Sequence, residues 1–198
     1  MKGKTLKMIL ASIMVLTLGM PCFAATSKTI NVTAFVPTIS GGLNVTISKI
    51  RSSDDFWEQS GPTLPIDFGT LTLDTTYNVF RATYYYAVDV GVNDNTGTIW
   101  TVTHTRNSFK KDASNNLDTN VNVTFMKQTS STSGSQLLKV SYASSNNVAY
   151  TKTQLLGGWL RIYYGIGTGS GDASGVLPIG LDKPTGTYSG SVVITLTP

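Results

Sequence analysis

Apolar and polar residues alternate with period two along most of this chain. Ile30, Val32, Ala34 and Val36 alternate with Thr29, Asn31, Thr33 and Phe35 until Pro37 and the Gly41-Gly42 pair, which is the pattern of a strand. Leu43, Val45 and Ile47 are in phase for a second strand, and residues 51–63 read as a polar loop around Asp54-Asp55-Phe56-Trp57-Glu58. Ile66, Phe68, Leu71 and Leu73 mark another strand, and Tyr77 to Val92 reads as one long strand or a strand pair. Asn93-Asp94-Asn95-Thr96-Gly97 carries a hairpin signal leading into Ile99, Trp100 and Val102. Beyond a polar excursion from Lys110 to Asn120, alternation returns at Val121, Val123 and Phe125, at Leu137, Leu138, Val140 and Tyr142, and at Trp159, Leu160, Ile162 and Tyr164. A Gly/Ser loop from Gly165 to Gly175 precedes a last strand with Tyr188, Gly190, Val192, Ile194 and Leu196 on one face.

Roughly eight to ten strands and no amphipathic helix predict an all-β chain, a single antiparallel β-sandwich of immunoglobulin-like or jelly-roll-like type. Composition agrees, because one Glu against 29 Thr leaves little material for surface helices. No linker and no fixed-period repeat interrupts residues 25–198.

The formal net charge of +4 hints at nucleic acid or a membrane surface until its source is located. Lys2, Lys4 and Lys7 precede an apolar run from Met8 to Met20, and Cys22 and Ala24 supply small residues before a cleavage point. This is the pattern of a secretory signal, cut after Ala24 or, as second choice, after Ala25. The alternative of a lipid-modified Cys22 is disfavoured by Pro21 beside it. The apolar run falls short of the about 20 residues that a membrane-spanning helix needs. Without residues 1–24, twelve basic and eleven acidic residues remain and no cysteine does. The expectation is a secreted, disulfide-free domain over 25–198, not membrane-spanning and with no field to hold nucleic acid.

Candidate chemistry is sparse. His104 is the only histidine, so a histidine-based triad or multi-histidine metal site is excluded, and within Thr101-Val102-Thr103-His104-Thr105 it reads as a solvent-facing strand residue. Asp54, Asp55, Glu58 and Asp67 are near one another in sequence and leave a carboxylate hydrolase as the least favoured reading. The run Gly165 to Asp172 lacks the lysine and following helix of a phosphate-binding loop and reads as a flexible connection. Asn93-Asp94-Asn95 lacks the bidentate acid of a calcium loop. No enzyme activity, cofactor or metal is expected. Exposed aromatics are the remaining candidates for ligand binding, namely Trp57, Tyr84, Tyr86 and Tyr163, with core filling and cross-strand pairing as the plainer role for such rings. Asn31, Asn44 and Asn122 each begin an Asn-x-Thr triplet, relevant only in a glycosylating host.

The closing segment Leu181-Asp182-Lys183-Pro184-Thr185-Gly186-Thr187-Tyr188, with the alternating Val/Thr strand after it, resembles the last strand of bacterial spore-coat-U-like and archaic chaperone–usher pilin subunits. Thr29 to Val36 and Asp67-Phe68-Gly69-Thr70-Leu71 are similar to other pieces of that group, whereas the absence of cysteine departs from its many disulfide-bonded members. The resemblance implies an incomplete sandwich whose groove takes the amino-terminal strand of the next subunit. Residues 26–36 would then be the donor, with Ile30, Val32, Ala34 and Val36 filling pockets, in a homopolymer reaching the bacterial surface through a periplasmic chaperone and usher. The same residues fit the first strand of a self-contained domain equally well, because period two does not say whose sheet a strand joins. The alternative function is a secreted adhesin or carbohydrate-binding module acting as a monomer.

Overall fold

The described residues contain no α-helix, so buried backbone N–H and C=O groups must pair between strands, and the number of sheets follows from which strand edges remain available. The computed structural model describes residues 28–32, 38–39, 42–93 and 99–198. Its strands are β1 (Ile30–Val32), β2 (Thr38–Ile39), β3 (Leu43–Arg51), β4 (Trp57–Gly61), β5 (Gly69–Thr70), β6 (Thr72–Asp74), β7 (Val79–Arg81), β8 (Tyr84–Val92), β9 (Thr101–Lys110), β10 (Val121–Gln128), β11 (Gly134–Ser141), β12 (Val148–Thr151), β13 (Trp159–Ile166), β14 (Ile179–Gly180) and β15 (Gly186–Thr197). Only a single 3₁₀ turn, Tyr142–Ser144, interrupts this pattern among the described residues.

The chain is an antiparallel β-sandwich. One sheet runs β12-β9-β15-β1-β5, with β2 also beside β15; the other runs β11-β10-β13-β8-β3-β4; a small sheet, β14-β7-β6, lies apart from both. The exceptions to antiparallel pairing are β1 and β2, which run parallel to β15. Alternation puts Val45 and Ile47 of β3, Val88 and Val90 of β8, Phe125 of β10 and Leu160 and Ile162 of β13 in one core with Val102 of β9, Ile30 and Val32 of β1 and Val192 and Ile194 of β15. Each of these apolar side chains contributes on the order of 1.5–3 kcal/mol by leaving water.

Several local expectations change. Trp57 lies in a strand rather than a loop, because residues 43–61 form a β3–β4 hairpin. The Asn93–Gly97 signal does not join a hairpin: β8 already has β3 on one side and β13 on the other, so β9 has to enter the opposite sheet. The polar stretch from Lys110 to Asn120 buries Leu117. The glycine-rich loop is tied rather than free, since the Asp172 carboxylate accepts the backbone N–H groups of Thr168 and Gly169 and the Asn122 amide. Residues 1–24, where an export signal and its cleavage point are expected, lie outside the described residues, as do Ala34, Val36 and most of the Asn93–Gly97 turn.

Candidate functional site

Three places in the molecule gather the residues that chemistry would use: the seam along β15, the centre of the core, and the outer face of the β3/β8/β13 sheet.

Along the seam, Ile30, Asn31 and Val32 stand opposite Gly186, Thr187 and Tyr188, and Thr38 and Ile39 stand opposite Val193 and Ile194. On its other side β1 meets β5, and the Val32 and Ile30 carbonyls accept N–H groups from Phe68 and Leu71. Ile30 and Val32 are completely buried. The segment turns into β3 at Gly42, whose φ of 86° is the left-handed region that favours glycine.

In the core, His104 shares the face of Val102 and is 1% exposed, so the expectation of a solvent-facing ring is wrong. The parity was set by Val102, two residues earlier, and not by the flanking threonines. Its Nδ1–H donates to the Ser145 carbonyl at 3.0 Å, which leaves Nε2 to accept from the Tyr164 hydroxyl at 2.9 Å. Burial pushes the imidazole pKa down to about 4.

On the outer face, Arg161 is the organising group. It is 7% exposed and makes a forked pair with Asp89, Nε to Oδ1 at 2.6 Å and NH2 to Oδ2 at 2.9 Å. Its guanidinium lies 4.9 Å from the ring centres of both Trp57 and Trp159 and 5.8 Å from that of Tyr163, the geometry of cation–π stacking. Beside this cluster opens a cleft of about 390 Å³, with Asn44, Thr46, Asp89 and Gly91 of β3 and β8 on one side and Gly157, Gly158 and Trp159 on the other. A Cβ at Gly158 would come within 2.1 Å of the Gln128 carbonyl oxygen, so the loop passes closer to β10 than any other residue allows.

Of the four aromatics read as ligand contacts, Trp57 and Tyr163 join this cluster and Tyr84 packs under Lys49 Nζ at 3.7 Å. Tyr86 is a correction: it points into the core and donates to the Asp67 carbonyl at 2.6 Å, with its pKa raised to about 12 by burial. The outward ring of that tyrosine run is Tyr85, which donates to Asp55 and lies 6.1 Å from Tyr163. Sequence reasoning did not single out Arg161, Asp89 or Trp159. The available signal was a lone arginine at the centre of Trp159-x-Arg161-x-Tyr163, in phase on one face of a strand.

The four acids do not gather as one group. Asp54 and Glu58 both pair with Arg51, Asp55 takes the Tyr85 hydroxyl, and Asp67 accepts the Gly69 N–H. Asn122 uses both ends of its amide, on Asp172 and on the Ala173 N–H. Among the described residues no group of three or more His, Cys, Asp or Glu is placed to hold a metal, and no helix is long and apolar enough to cross a membrane. No protein-family profile, curated protein or solved structure matches this chain.

Proposed function

We propose that this protein is a secreted structural subunit of a bacterial surface fibre, polymerising by exchange of its amino-terminal strand between copies and delivered by a periplasmic chaperone and usher. The observation that carries the reading is the place of β1. It supplies Ile30 and Val32 to the core between β15 and β5, and it is the first strand of the described residues, followed by the two-residue β2 that also lies beside β15. Such a segment can leave its groove and be replaced by the same segment of another copy without unthreading any other strand. Every pairing would be preserved on exchange, so exchange sacrifices little free energy while it links subunits end to end. The resemblance of the closing strand to chaperone–usher pilins points the same way.

The test uses the absence of cysteine from residues 25–198. Asn31 and Thr187 stand opposite one another, so chains carrying Asn31→Cys are unfolded, mixed with chains carrying Thr187→Cys, refolded and oxidised. The expected product is a disulfide-linked pair of the two chains. If the mixture stays monomeric while the doubly substituted chain closes only on itself, strand exchange is wrong.

A further inference from the structure

We propose that the cleft between β3, β8 and the Gly157–Trp159 turn binds a neutral saccharide. The inference does not depend on polymerisation.

The polar side of the cleft is built by register. Asn44 stands opposite Gly91 and Thr46 opposite Asp89, so an amide, a hydroxyl and a carboxylate lie side by side on one face of two paired strands. Together they offer donors and acceptors spaced along a short surface, as a row of sugar hydroxyls requires. Charge then narrows the ligand. Among the described residues no lysine or arginine lines the cleft, which disfavours phosphate, sulfate or carboxylate groups. Both Asp89 oxygens are engaged by Arg161, so its charge is already compensated and attracts no cation, while each oxygen keeps lone-pair capacity for a hydroxyl.

The opposite side suits the apolar face of a pyranose ring. Trp159 is half-buried, and stacking on Arg161 at 4.9 Å fixes its plane; a pre-set indole loses little freedom when a sugar ring packs on it. Gly91, Gly157 and Gly158 contribute no side chains, and the open volume of about 390 Å³ lies within the roughly 300–1,000 Å³ of small-ligand sites. Aromatic platform, charge-compensated hydrogen-bonding floor and open room coincide in this cleft. The groove lined by Arg81 and Thr168 lacks that combination: Arg81 is committed to Asp74 and to the Thr168 carbonyl.

Asn44-Val45-Thr46 is also a glycosylation triplet, so the mature chain is produced in a non-glycosylating bacterial host. It is screened on an array of neutral, sialylated and sulfated glycans and against an unrelated peptide library, and hits are titrated by calorimetry. The expected result is binding of one or more neutral glycans, weakened at least tenfold by Asn44→Ala and by Trp159→Ala. Thr46→Val, which keeps the shape of the side chain, is expected to weaken binding several-fold, and Tyr77→Ala, on an exposed ring outside the cleft lining, to leave it unchanged. Thermal unfolding and far-ultraviolet circular dichroism confirm that each variant is folded; Asn44 is exposed, so its replacement keeps the test valid if Trp159→Ala does not fold. Absence of any neutral-glycan binding, binding confined to charged glycans or peptides, or neutral-glycan binding insensitive to Asn44→Ala and Thr46→Val overturns the proposal.

Discussion

His104 Nε2 accepts a hydrogen bond from the Tyr164 hydroxyl at 2.9 Å, joining β9 of one sheet to β13 of the other across the middle of the sandwich. The His104 ring also meets Phe125 edge-on with centroids 5.1 Å apart. A neutral imidazole satisfies this site completely, with Nδ1–H on the Ser145 carbonyl; an imidazolium would force the Tyr164 hydroxyl to turn from donor to acceptor and would bury a charge in a medium that solvates it poorly.

Stability is therefore expected to fall in mild acid. Burial lowers the folded-state pKa of His104 from 6.5 to about 4, so the unfolded chain binds the proton first. The contribution is fully present above pH 6.5 and is lost as pH falls from 6.5 toward 4, by about 2–3 kcal/mol. Urea unfolding between pH 7.5 and 4.5 measures it, with His104→Gln less stable at pH 7.5 but less sensitive to acid. A flat wild-type profile over that range contradicts the assignment.

Asp89→Asn is expected to destabilise the fold by about 3 kcal/mol, because it leaves the Arg161 guanidinium buried without a counter-charge. Replacing Arg161 as well, by Met, should recover much of that loss. Chemical denaturation of the two single variants and the double variant gives the coupling; additive effects would show that the pair does not act as a unit.

Asp118 holds one end of β9. Its Oδ1 accepts the Phe109 N–H at 2.6 Å and its Oδ2 accepts Arg106 NH1 at 3.2 Å. Asp118→Ala removes the carboxylate acceptor of the Phe109 N–H and the counter-charge of a largely buried cation together, with an expected loss of about 2–4 kcal/mol. Amide exchange should quicken at Phe109, and unchanged protection there would argue against this role.

Gly158→Ala should cost roughly 1–3 kcal/mol, since the new methyl meets the Gln128 carbonyl at 2.1 Å and the Leu155 carbonyl at 3.2 Å, neither of which is a movable side-chain end. Gly61→Ala, where nothing lies within 4 Å, is the comparison, and equal melting temperatures for the two variants would refute the steric argument.

Truncating Ile30 to Ala in β1 is expected to cost about 2–5 kcal/mol, because its side chain is fully enclosed. If the strand is exchanged between chains, the unfolding midpoint rises with protein concentration and the loss shifts it to lower values at every concentration; if it stays within one chain, the midpoint is independent of concentration.

Alternation along the chain was enough to read an all-β sandwich and the inward faces of β3, β10, β13 and β15, because a strand side is a local property with period two and burial acts on it residue by residue. The same rule places His104 inward once Val102 is used as the phase reference. Pairing was not legible. That β8 and β9 part into different sheets, that Trp57 belongs to β4, and that β1 and β2 run parallel to β15 depend on which edges are already occupied, a question no local window contains.

The outer face shows the division most clearly. Composition and order placed Trp159, Arg161 and Tyr163 in phase on one strand. Only tertiary structure brought Asp89 from β8 and Trp57 from β4 onto the same guanidinium, and only it opened the cleft beside them. Periodicity decides which way a side chain points; strand order across a sheet decides what it meets, since hydrogen-bonded neighbours are set by the whole arrangement of edges rather than by the residues adjacent in sequence.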